Sequence, residues 1–98
     1  MAFIQIIDVK TSSMDKMLEL DGEWEKATEG KRTTRRSIVT RDRNDPKRAM
    51  IIVFFDSYES AMENSNLPET AEFASKWAEL ADGPPTFIDL DVVDDRNE

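Results

Sequence analysis

Ala49-Met50-Ile51-Ile52-Val53-Phe54-Phe55 is the stretch that decides how this chain folds, because seven consecutive residues carry no charge and no hydrogen-bonding side chain. Alternate side chains of a strand point to opposite sides of its sheet, so neither side of this strand can face water. At 98 residues the chain can supply helices for only one side of a sheet. A second copy covering the other side is the expectation, and it would add apolar burial to an otherwise thin core.

Outward from that strand the rest of the order falls into place. Upstream, Thr33 to Asp42 is rich in threonine, valine and isoleucine, and Asn44-Asp45-Pro46 supplies turn chemistry, which predicts a hairpin with the apolar strand at 48–55. Residues 2–9, with Phe3, Ile4, Ile6, Ile7 and Val9, predict a first strand. Ser12 and Asp15 then fit the spacing of a helix cap, and Met14, Met17, Leu18 and Trp24 form the buried stripe of a helix ending near Gly30. Asp21 and Thr28 recur at that same helical spacing. Gly22 inside the helix costs roughly 1 kcal/mol relative to alanine, and a close approach to the sheet would explain it.

Downstream, Asp56 or Ser57 caps a short helix from Tyr58 to Asn64, and Pro68 opens a fresh one at its first turn. Phe73, Ala74, Trp77, Leu80 and Ala81 share one face of this second piece, which Gly83-Pro84-Pro85 stops. Thr86 to Val93 is the last strand, with Ile88, Leu90 and Val92 on one face and Phe87, Asp89, Asp91 and Val93 on the other. The order β-α-β-β-α-β predicts a single α+β domain over 1–98 with a ferredoxin-like, four-stranded antiparallel sheet, both helices on one face, and a polar tail at 94–98.

Composition narrows the chemistry. There is no cysteine and no histidine, which removes disulfides, thiolate nucleophiles, the commonest metal ligands and the commonest general base; neither a metal nor a cofactor is expected. Formal net charge is -8, which argues against nucleic acid and anionic membranes as partners. Residues 31–48 carry eight basic against two acidic residues, a local +6 that leaves -14 elsewhere. The start, Met1 to Asp8, lacks the pattern of a signal peptide and no long apolar run follows, so a cytoplasmic protein is expected.

The strand–helix order across 2–93, the doubly apolar Met50–Phe55 strand, and the late helix running through Trp77 into Gly83-Pro84-Pro85-Thr86-Phe87 and a final strand make the chain similar to the dimeric α+β barrel superfamily. That group includes antibiotic-biosynthesis-monooxygenase-like proteins. The resemblance implies a homodimer closed through the sheet face, with a pocket between sheet and helices. Its members include cofactor-independent oxygenases, haem degraders and small-ring isomerases. Oxygenases of the group often use an asparagine, a tryptophan and sometimes a histidine or arginine; here stand Trp24, Trp77, Asn64, Asn66 and Arg36, with Gln5 rather than asparagine in the first strand.

Each candidate has a structural reading beside the functional one. Trp77 reads as a core anchor and Trp24 as core or pocket wall. Asn64 and Asn66 fit capping as well as a pocket mouth, and Tyr58 fits packing at a helix start as well as a pocket phenol. Arg36 shares a face with Thr34, Ile38 and Thr40, and Arg41 with Arg35, Ser37 and Val39; either row suits a carboxylate or phosphate anchor, or a solvated edge that discourages aggregation. Asp89 and Asp91 read as a weak metal pair; the better account sets the acidic stretch from Asp89 to Asp95 near the basic second strand of a partner copy. The expected function is a small homodimer that binds an apolar or acidic small molecule, with oxygenase-like activity within reach and a non-catalytic assembly dimer as the alternative. The expected ligand-binding residues are Trp24, Arg36, Phe54, Tyr58 and Asn66, with Phe3 and Met50 completing the pocket wall.

Overall fold

The central hairpin organises the sheet. In the computed structural model, which describes residues 2–97, strands β1 (Phe3–Lys10), β2 (Thr34–Arg41), β3 (Arg48–Phe55) and β4 (Thr86–Asp91) form one antiparallel sheet in the order β2-β3-β1-β4. The doubly apolar β3 lies inside it, between β2 and β1. Helices α1 (Met14–Ala27), α2 (Tyr58–Ser65) and α3 (Pro68–Leu80) cover one face, α1 packing against α3. This is the ferredoxin-like α+β fold expected from the sequence, its second helical region divided at Pro68 as anticipated. The tail expected at 94–98 has neither helix nor strand through Asn97, and Glu98 lies outside the described residues.

Register assigns every strand residue to a face. Toward the helices point Phe3, Gln5, Ile7 and Val9 of β1, opposite Phe55, Val53, Ile51 and Ala49 of β3. Phe3, Val9, Ala49, Ile51, Val53 and Phe55 form the buried core with Met17, Ala61 and Trp77. On the other face the residues align in rows across all four strands: Arg36, Phe54, Ile4 and Leu90 in one, and Ile38, Ile52, Ile6 and Ile88 in the next. No helix covers these rows among the described residues. At their end, Arg48 donates to Asp8 and Asp42, which holds the Asp8 carboxyl below its ordinary value.

Four local expectations are corrected. A bulge in β2 between Thr34 and Arg36 turns Thr34 to the helix side, away from Arg36, and sends Arg35 out to a forked pair with Asp56. Ser12 does not cap α1. Its hydroxyl donates to Asp82, while Thr11, held by Leu80 O, accepts from Ser13 N–H. Leu18 is 47% exposed rather than buried, because the seam of α1 runs through Met14, Met17, Leu20 and Trp24 and leaves Leu18 at its margin. Gly22 makes no close approach: a Cβ built there meets nothing within 4 Å.

Candidate functional site

The space beside Gly22 is a cavity. About 570 Å³ lies between α1, α3 and the helix-side face of the sheet, within the range of small-molecule sites. Its floor is Gln5, Ile7, Ser37, Val39, Ile51 and Val53. One wall is the α1 edge Leu18, Asp21, Gly22 and Glu25, spaced three, four and seven residues apart and so on one helical face. The facing wall is Thr70, Phe73, Ala74 and Trp77 of α3, and Phe87, 58% exposed on the edge strand, stands at the margin with Pro85 and Leu18.

An aromatic ladder fixes the wall. Trp24, Phe73 and Trp77 follow one another at ring-centroid separations of 5.9 and 6.4 Å. Trp24 is turned by a hydrogen bond from its indole N–H to Thr70 Oγ1 at 3.1 Å, which ties α1 to α3 across the opening. Thr28, fully buried one turn on, donates to Trp24 O and holds the end of α1. The chain then reverses at Gly30, whose φ of 81° suits glycine.

Polar groups are few on this wall. Asn64 is 7% exposed; its side-chain oxygen accepts from Thr33 N–H at 3.2 Å, and its amide nitrogen makes no hydrogen bond among the described residues. Asp21 is the other. Partial burial beneath the α1 edge, with Glu25 one turn away adding a smaller repulsion, raises its carboxyl to about 6. A carboxyl so shifted, set in a cleft, can hold or release a proton near neutrality. The sequence carried a signal for it, an acid in register with Met14, Met17 and Trp24 on the inward side of the helix.

The residues singled out from sequence are dispersed rather than gathered. Trp24 lines the cavity, and so does Trp77, which is also core. Arg36, Phe54 and Met50 lie on the opposite, uncovered face, the Arg36 guanidinium 5.9 Å over the Phe54 ring. They cannot share a pocket with Trp24, because one residue of register separates the two faces. Tyr58 packs edge-on against Phe3 with its ring half exposed, and Asn66 ends α2, its backbone N–H bonded to Met62 O and Glu63 O. Asp89 accepts from Gln5 Nε2 at 3.2 Å. Among the described residues no helix is long and apolar enough to cross a membrane.

Solved structures share this fold over nearly the whole chain. A "putative antibiotic biosynthesis monooxygenase" from Caulobacter crescentus CB15 matches with a TM-score of 0.82 at 9% identity, over 95% of this chain and 91% of its own. A protein of that same description from Chloroflexus aurantiacus matches at 0.77 with 16% identity, over 99% and 98%. Rv0793 from Mycobacterium tuberculosis matches at 0.81 with 12% identity, over 99% and 100%. No protein-family model matches the sequence, and no curated protein does. At such identities the likeness is one of fold, and it agrees with the topological resemblance drawn from the strand–helix order.

Proposed function

We propose that this protein, a single domain with the monooxygenase-like fold, is a cytoplasmic homodimer that binds an apolar small molecule in the cavity between α1, α3 and the sheet. The observation that carries the reading is the cavity itself. Its surface is mainly aromatic and aliphatic, a few polar groups converge on it, and Gly22 keeps it open where a larger side chain would intrude. Supporting the homodimer reading are the uncovered rows of isoleucine, leucine and phenylalanine, a contiguous apolar surface that water would otherwise meet. The basic β2 edge and the acidic β4 edge lie at opposite ends of the sheet, so a twofold related copy can set one beside the other.

A second reading, oxygenase activity, is favoured by Asp21. A ligand with an acidic CH2 could give one proton to this carboxylate; its carbanion reduces and bonds to dioxygen, and the protonated hydroperoxide loses water to leave a carbonyl, which needs no bound cofactor. The assembly-only alternative requires packing and no ligand.

The neutral probe N-phenyl-1-naphthylamine separates ligand binding from assembly alone. Binding should raise its emission and quench Trp24 and Trp77, and Gly22→Phe should abolish both changes. Light scattering over a dilution series should give twice the chain mass. Absence of probe binding by a persistent dimer would leave the assembly reading; a stable monomer would remove the dimer.

A further inference from the structure

The cavity has a sign as well as a shape. Its lining includes two carboxyl side chains, Asp21 and Glu25, and neither lysine nor arginine. No other ionisable side chain lines it from α3 or from the strands: the α3 wall is Thr70, Ala71, Phe73, Ala74, Trp77 and Ala78, and the floor is amide, hydroxyl and hydrocarbon. Asp89 stands just behind Gln5 and adds to the negative sign. Arg36, the basic residue the sequence suggested as an anchor, faces away through the sheet.

An apolar chamber with acids and no bases repels an anion and admits a neutral molecule. For a cation it offers more, a carboxylate to pair with and aromatic faces to lie against. Resting on the cavity as the ligand site, we propose that its ligand is an apolar amine, whose ammonium group pairs with Asp21 while its hydrocarbon body fills the space between Trp24, Phe73, Trp77 and Phe87. Burial disfavours the Asp21 carboxylate. A bound ammonium reverses that preference by supplying the missing opposite charge. Binding of the amine therefore strengthens as pH rises through the titration of Asp21, while the amine itself stays protonated.

The test is calorimetric titration with three probes of one shape, 4-phenylbutylamine, 4-phenylbutanol and 4-phenylbutanoate. At pH 8 the amine should bind about tenfold or more tighter than the alcohol, the scale of a charge-assisted hydrogen bond, and the carboxylate more weakly than either. At pH 4.5 the amine's advantage should vanish, and in Asp21→Asn, its fold checked by circular dichroism, that advantage should be absent at both pH values. The proposal is overturned if the carboxylate equals the amine, or if the amine keeps its advantage in Asp21→Asn. Alcohol binding without amine preference would leave the cavity reading intact, whereas failure of all three probes would remove both.

Discussion

Replacing Asp21 by asparagine should stabilise this protein at neutral pH, an uncommon outcome for a residue on a cavity wall. The carboxyl stands at about 6 against an ordinary 3.8, roughly two units, and each unit corresponds to 1.36 kcal/mol. The ceiling is about 3 kcal/mol; the side chain is partly open to the cavity, and screening there leaves about 1–2 kcal/mol. The sign follows from proton linkage. The folded chain binds this proton more tightly than the unfolded chain, so the wild type loses stability as pH rises from about 4 to beyond 6. Asparagine has no proton to lose, so the variant escapes that decline. Thermal unfolding of both proteins between pH 3 and 8 should show a gap absent at the acid end and growing to about 5–10 °C at the alkaline end for a chain of this size. A gap of constant height, or a variant melting below the wild type at pH 8, would refute the desolvation argument.

The remaining predictions concern packing and pairing. Gly22→Ala should raise stability by about 0.5–1 kcal/mol in denaturant titration, since a Cβ there meets nothing and alanine is the better helix former. Ile52→Asp, at the centre of the uncovered isoleucine row, should halve the mass seen by light scattering while circular dichroism stays unchanged. Arg48→Met leaves Asp8 and Asp42 without their partner and should lower the melting temperature modestly at pH 7. That cost should fade as pH drops through the acidic range, because Asp8 is held below its ordinary value and the pair stabilises only while its carboxylate is charged.

Most of the sheet was legible because its signals are local. The doubly apolar run at 49–55, the turn chemistry of Asn44-Asp45-Pro46, and Pro68 at a helix start each act within a few residues, and each lies where expected. What escaped depends on distant partners. The bulge at Arg35 inverts the face of Thr34, and its forked pair with Asp56 brings together residues 21 positions apart. Ser12 resembled a cap until Asp82, 70 residues away, took its hydroxyl. Gly22 suggested contact, when the absence of a side chain there keeps space open. Asp21 was visible as an inward acid, but its meaning waited on α3 closing the other wall.

The isoleucine row, finally, separates adhesion from orientation. Ile38, Ile52, Ile6 and Ile88 run edge to edge across the sheet with no polar atom among their side chains, so nothing in the stripe prefers one sliding position of an opposing surface to another. Such a surface grips without aiming. Direction has to come from the flanks, where Arg36 stands in the neighbouring row and Arg48, Asp8 and Asp42 hold the far end. Salt, which screens charge and leaves hydrocarbon burial intact, would then blur the alignment of two such faces well before it loosened their hold.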